Sequence, residues 1–334
     1  MDREQEEIQF LGFFGIFKES FNIISSWRKI LSQITLTIIL PLSIIFLAHI
    51  EISILLFAKI IRNEDYLKYE TVEGTSKYAK VSDTIHSEWM AFWLFKISYF
   101  IFFLILSLLS TSAVVYTIAC VFTAKEITFK KVMSVVPKVW KRLMVTFIWN
   151  FIIVFAYNLV ALFVLILWAV LIGLDTGVGV AILVVFLIFY FVGFVYISVV
   201  WHLASVVTVL EDVYGIQAMI KSKGLIKGKM VISVATFLLL SACFLVIQLG
   251  FEWFVVIGYG YKFVMRLGIG IVCFLLLAVL ILFGLVIQTV IYFVCKSYHH
   301  ENIDKSSLAD HLEVYLGEYV PLKAKDVQLE HYNV

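Results

Sequence analysis

His49 and Glu51 are the first ionisable residues after Lys29, and they close a long apolar run. An ionisable group in a membrane span is a candidate functional group by default, because keeping a charge in lipid costs several kcal/mol. The chemistry such a pair suits is proton or cation handling at the mouth of a helix bundle. The same pair also suits an interface, facing water or headgroups. Asn150, Asn158, His202, Gln248 and Gln288 are polar side chains within other apolar runs. If they converge, they line a permeation path. If each is held by a neighbouring helix, they are glue, worth about 0.6–2 kcal/mol per hydrogen bond.

Basic residues form the second set. Arg28 and Lys29, then Lys130, Lys131, Lys138, Lys141 and Arg142, then Lys221, Lys223, Lys227 and Lys229 cluster in three short segments beside apolar runs. Such clusters attract anionic headgroups at roughly 1 kcal/mol per cation near the surface. Gly224-Leu225-Ile226-Lys227-Gly228-Lys229 is one residue too short between its glycines for a phosphate loop, and no strand precedes it. A lysine-rich turn at headgroups is the better reading. His299, His300, Glu301 and His311 match no standard metal spacing. No Gly-x-Ser-x-Gly and no His-Glu-x-x-His occurs. The expectation is therefore no catalytic residue, no metal, no cofactor and no enzyme activity.

The elements that must position these residues are membrane helices. The chain is 62% hydrophobic and 15% charged, far from the charge content of a water-soluble domain. From Met144 to Leu210 the only charged residue is Asp175. A bilayer core of about 30 Å needs about 20 apolar residues as a helix, so this run holds two helices with a turn at Asp175. Six spans follow from the whole pattern, at about 31–51, 97–122, 144–172, 180–208, 230–251 and 267–294. The expected architecture is an all-α polytopic bundle of three hairpins, each preceded by an interfacial amphipathic helix. A cytosolic N-terminal segment covers 1–30, the bundle 31–295 and a cytosolic tail 296–334.

Local signals refine this. Phe10, Phe13, Phe14, Phe17, Phe21 and Ile24 share one helical face, with Lys18, Glu19, Asn22 and Ser25 off it. Pro41 should kink the first span. Residues 62–88 are polar and predict a partly ordered external loop. Ser107, Ser110, Thr111 and Ser112 offer a small-residue strip for close packing. No apolar signal-peptide core precedes the first span, so the first helix is expected to serve as insertion signal. The four cysteines fall in or at the ends of apolar runs, where no disulfide is expected. Cys295, beside Lys296, is a candidate for palmitoylation or simply a buried thiol. In the tail, Ser307-Leu308-Ala309-Asp310 opens a short helix ending before Pro321.

Of the 26 Lys and Arg, 18 fall on the side carrying both termini. The positive-inside bias puts that side in the cytosol, in the plasma membrane or an endomembrane. Ile16, Phe129 and Ile216, with Lys29, Arg142 and Lys229, mark a pattern-level threefold repeat of surface helix plus hairpin. The net charge of +2 gives no reason to expect nucleic acid. The partners expected are anionic lipid headgroups on the cytosolic face, and protein partners without a readable motif.

Three runs carry a resemblance: Leu11-Gly12-Phe13-Phe14-Gly15-Ile16-Phe17-Lys18-Glu19-Ser20, then Leu40-Pro41-Leu42-Ser43-Ile44-Ile45-Phe46-Leu47-Ala48-His49-Ile50-Glu51, and Glu318-Tyr319-Val320-Pro321-Leu322. They resemble a family of plant multi-pass membrane proteins without an established activity, over essentially the whole chain. Some of its members are labelled as interacting with a poly(A)-binding protein, and no motif for that contact is present here. The pattern is also similar, more weakly, to the membrane domain that precedes bacterial glycerophosphodiester phosphodiesterases. The resemblance implies a fold and supplies no site. The functional expectation is a non-enzymatic component that organises lipids or proteins. The alternative is a small-solute or proton-coupled transporter using Glu51, His49 and the intramembrane amides.

Overall fold

The computed structural model describes residues 9–72, 74–123, 127–172, 177–258 and 260–299. Among them every regular element is helical: α1 (Phe13–Ser26), α2 (Arg28–Glu70), α3 (Ser76–Phe122), α4 (Phe129–Leu171), α5 (Gly177–Leu210), α6 (Ile216–Leu225), α7 (Met230–Ile257) and α8 (Phe263–Tyr298). Six of these, all but α1 and α6, are long and apolar enough to cross a bilayer. They expose apolar side chains along their length, such as Phe151, Phe155, Leu159 and Phe163 on α4. A surface this apolar belongs in lipid, where a helix satisfies its own backbone. The protein is an all-α integral membrane protein.

The helices run longer than the apolar pattern alone delimits. Residues 62–88 do not form a loop. α2 continues to Glu70 and α3 starts at Ser76, leaving a turn of a few residues in which Gly74 takes a φ of 84°. Thr75 caps α3: its hydroxyl accepts from the Tyr78 N–H at 3.2 Å. At about 1.5 Å per residue, the 47 residues of α3 extend roughly 70 Å, more than twice a bilayer core. Several of these polar residues pair across the hairpin. Asn63 Nδ2 donates to both carboxylate oxygens of Glu88 at 3.0 and 2.8 Å. Lys59 pairs with Glu88 at 3.1 Å, and the Trp89 indole donates to Glu64 at 3.0 Å.

The effect of Pro41 is felt just before it, as a π-helical turn over Thr35–Ile39. The Leu40 N–H reaches back to the Thr35 carbonyl instead of that of Leu36. Hydroxyls of Thr35, Thr37 and Ser43 satisfy the carbonyls of Leu31, Gln33 and Ile39 along this stretch.

One surface-helix expectation also changes. The segment 129–142 is not a separate helix; it runs unbroken into the span as the first third of α4. Helix α1 buries Ile16, Glu19, Ser20 and Ile23, whereas Phe14 and Phe21 are 84% and 64% exposed. Phe14 and Phe21 point away from the protein with exposed Lys18 between them, while Phe13 and Phe17 are half-buried. Cys295 is fully buried, so it is not an acylation site. In the expected small-residue strip, Ser110 and Ser112 are buried.

The chain forms two compact units. Unit 1 comprises Met1–Ile30, Thr111–Leu238 and Leu285–Val334. Within it α4 and α5 lie against each other, and α6 packs on both. Val135, Val139 and Leu143 of α4, and Val206, Val207 and Leu210 of α5, are buried. Unit 2 comprises Leu31–Ser110 and Leu239–Gly284. Its core is Leu47 and Ile50 of α2, Phe251 and Val255 of α7, and Cys273 and Leu277 of α8. The Asp175 turn, Lys125, the tail helix from Ser307, His300, Glu301 and His311 lie outside the described residues.

Candidate functional site

In unit 2, His49 and Ser53 lie four residues apart on one face of α2. Lys96 of α3 meets both: its Nζ lies 2.9 Å from His49 Nε2 and 2.9 Å from Ser53 Oγ. An ammonium only donates, so His49 Nε2 is the acceptor and the ring is the neutral tautomer protonated at Nδ1. The imidazole stacks on Tyr99 at 3.6 Å and on Phe95 at 5.9 Å. The Phe92 ring lies 5.2 Å from the ammonium, a cation–π contact. The α3 residues Phe92, Lys96 and Tyr99 follow i, i+4, i+7 spacing, which is why one helix face supplies them all. Glu51, the expected companion of His49, lies two residues on and takes no part in this cluster.

In unit 1, the loop between α5 and α6 carries Glu211, whose side chain is only 11% exposed. Lys221 of α6 reaches one carboxylate oxygen at 2.6 Å. Tyr292 and Lys296 of α8, four residues apart, donate to the other at 2.6 and 2.9 Å. Burial alone would raise the Glu211 pKa. The hydrogen bonds from Lys221 and Tyr292, with the charge and hydrogen bond of Lys296, outweigh it and hold the carboxyl below its ordinary value.

Arg142 of α4 locks the same loop. Its Nη2 donates to the Glu211 carbonyl at 2.6 Å, its Nη1 meets Asp212 at 3.3 Å, and its guanidinium lies 5.6 Å from the Tyr214 ring. The buried Thr146 hydroxyl accepts from the Gly215 N–H at 2.8 Å and contacts Thr208 at 2.9 Å. Gly215 has a φ of 65°, and a Cβ there would press on Trp149. Only glycine meets both demands at this turn.

The basic residues separate accordingly. Arg142 and Lys221 are committed to Glu211 and Asp212, which corrects the expectation that they face headgroups. Lys229 is partly buried, with its ammonium 5.2 Å from the Tyr298 ring, and Lys131 is partly buried too. Arg28, Lys29, Lys130, Lys138, Lys141, Lys223 and Lys227 are exposed. All seven belong to unit 1. The turn carrying Lys227 and Gly228 is fastened by His299, whose Nε2 lies 3.1 and 2.9 Å from the Leu225 and Lys227 carbonyls.

Four of the five intramembrane polar candidates find local partners. Gln288 Nε2 donates to the His202 carbonyl and, at 2.6 Å, to Ser205, while His202 Nδ1 lies 3.2 Å from Gln288 Oε1. This pair joins α8 to α5. Asn158 donates to the Val154 carbonyl at 2.7 Å and accepts from the Tyr190 hydroxyl at 2.8 Å. Tyr157 stacks on Tyr190 and donates to its carbonyl at 2.7 Å, filling the space that Gly193 leaves free. Gln248 donates to Glu252 at 3.1 Å, one turn along α7. Asn150 is half-buried, and its Oδ1 has no hydrogen-bond partner among the described residues. Of the seven candidates, His202 and Gln288 touch each other, while Asn158 and Gln248 bond to groups on a neighbouring helix or their own.

Ser53, Glu211, Tyr292 and Lys296 were not legible as site residues, and Lys96 was legible only as an interface marker. Helical spacing held the signal: Ser53 follows His49 by four residues and Lys296 follows Tyr292 by four. Among the described residues no cluster of His, Cys, Asp and Glu is arranged to hold a metal. Neither a curated protein nor a solved structure matches the chain. A family described as a Domain of unknown function (DUF8558) matches residues 1–332, and this six-span helical chain belongs to that family.

Proposed function

We propose that the protein is a non-enzymatic membrane component that gathers anionic lipids around the basic surface of unit 1. The observation that carries this reading is the set of seven exposed cations: Arg28, Lys29, Lys130, Lys138, Lys141, Lys223 and Lys227. Each exposed cation near an anionic leaflet contributes roughly 1 kcal/mol. Outward Phe14 and Phe21 of α1, with Lys18 between them, suit a helix lying in the headgroup layer. The positive-inside bias assigns this surface to the cytosolic leaflet of the plasma membrane or an endomembrane.

Transport finds less support, since His202, Gln288, Asn158 and Gln248 spend their hydrogen bonds on neighbouring helices or their own. The test is the selectivity of spin-labelled phosphatidylserine over phosphatidylcholine at the surface of the reconstituted full chain. The selectivity should fall toward unity when Lys130, Lys138, Lys141, Lys223 and Lys227 are changed together to Gln. Undiminished selectivity in that variant would overturn the reading. A single protein retained by the wild-type basic surface and lost from the variant would replace lipid by protein as the occupant.

A further inference from the structure

Lys96 differs from Lys221 and Lys296, which are also partly buried. Lys221 and Lys296 each touch a carboxylate, but the contacts of Lys96 are His49 Nε2, Ser53 Oγ and the Phe92 ring, all neutral. Among the described residues no carboxylate lies within ion-pair distance of it. The ammonium has three N–H donors and the two acceptors take two. A full positive charge is thus held in place, partly buried, with one donor to spare.

Its level along the helices is set by the sequence. α3 carries no charged residue from Ile97 to Phe122, and α2 carries none from Ile30 to His49. Both runs are long enough for a bilayer core and both end at this cluster. Trp89 and Trp93 stand just before Lys96 on α3, in the manner of an interfacial aromatic belt. Trp93, Leu94, Ile97 and Phe100 flank the lysine as exposed apolar side chains. A cation at the edge of the hydrocarbon, with apolar walls beginning beside it, matches an amphiphile whose anionic oxygens sit at the charge and whose chains run along α3.

We propose that Lys96, positioned by His49 and Ser53, binds the phosphate of one anionic phospholipid at the rim of unit 2. His49 and Ser53 are positioning residues: they fix the ammonium and leave its third N–H for a phosphate oxygen. The stacking of His49 on Tyr99 holds the imidazole where it can accept. This site is independent of the exposed lysines of unit 1.

The experiment is native mass spectrometry of the full chain in mild detergent, titrated with phosphatidylglycerol and, separately, with phosphatidylcholine. On the chain whose Lys130, Lys138, Lys141, Lys223 and Lys227 are changed to Gln, one phosphatidylglycerol should be retained in preference to phosphatidylcholine, and the variants below are compared on that background. Lys96→Met should weaken retention at least about tenfold, the loss of one charge-assisted hydrogen bond. Lys96→Arg should preserve it. Ser53→Asp supplies an internal carboxylate to the ammonium and should weaken retention with the lysine still present, which keeps the test open if Lys96→Met fails to fold. Equal retention with and without Lys96→Met or Ser53→Asp overturns the site. Displacement of the lipid by millimolar inorganic phosphate would assign the site to a free anion and overturn the lipid reading.

Discussion

Glu211 in unit 1 and Lys96 in unit 2 are both ions drawn into the protein at the end of an apolar run, and they are treated oppositely. The carboxylate is over-satisfied: Lys221, Lys296 and the Tyr292 hydroxyl all donate to it, and Arg142 binds its backbone carbonyl. The ammonium has only neutral partners, His49, Ser53 and the Phe92 ring. A buried charge with a complete shell of counter-charges is a structural staple, and removing it strands its partners. A held charge without a counter-ion leaves the counter-ion to be supplied from outside. The difference lies in chain placement. Glu211 is reached by three other helices, α4, α6 and α8, whereas Lys96 is reached only by α2.

The largest effect expected is at the staple. Glu211→Gln leaves the Lys221 and Lys296 cations without their anion and should destabilise the chain by about 3 kcal/mol, the lower end for a broken buried pair because Lys221 stays partly exposed. Thermal unfolding in detergent reads this as a lowered midpoint, and an unchanged midpoint would dissolve the contrast. The same residue dictates a pH dependence. Its folded pKa lies below the ordinary value of 4.5, so the unfolded chain binds the proton more readily. The stabilisation is complete above the ordinary carboxylate value and is lost as pH falls below it and through the folded pKa. The midpoint of the wild type should therefore drop over that acid window more steeply than that of Glu211→Gln.

Gln288→Leu tests whether the intramembrane polar groups behave as the staple does. It removes donors to Ser205 and the His202 carbonyl and should cost roughly 1 kcal/mol, with Tm as the readout. The smallest effect, and of opposite sign, is expected at Lys96. Lys96→Met removes a charge that has no counter-ion, so in lipid-free detergent Tm should hold or rise slightly. A fall comparable to that of Glu211→Gln would show that Lys96 is itself a staple.

Much of this architecture was legible because lipid imposes it. Hydrocarbon permits only chains that satisfy their own backbone, so apolar runs of sufficient length had to be helices. The polar segment 62–88 was misread as a loop because its side chains look solvated one at a time. They pair across the hairpin, Asn63 and Lys59 with Glu88 and Trp89 with Glu64, and such pairing is invisible along one dimension. The shared face of Phe14 and Phe21 on α1 was legible from helical spacing, whereas the burial of Ile16, Glu19, Ser20 and Ile23 on the other side was not. His49 was legible as a candidate, yet its partner was assigned to the neighbouring Glu51 when Lys96, 47 residues away, holds it. Arg142 and Lys221 looked like headgroup ligands because nothing in their local spacing reveals Glu211.

The most direct test of lipid gathering is the salt dependence of phosphatidylserine selectivity for the reconstituted wild-type chain, measured with spin-labelled lipids between about 0.1 and 1 M salt, where the screening length shrinks from about 10 to 3 Å. The expected result is a clear preference at low salt that collapses at high salt. The variant with Lys130, Lys138, Lys141, Lys223 and Lys227 changed to Gln should show little preference at either. A wild-type preference absent at low salt, or equal in wild type and variant, would contradict the account.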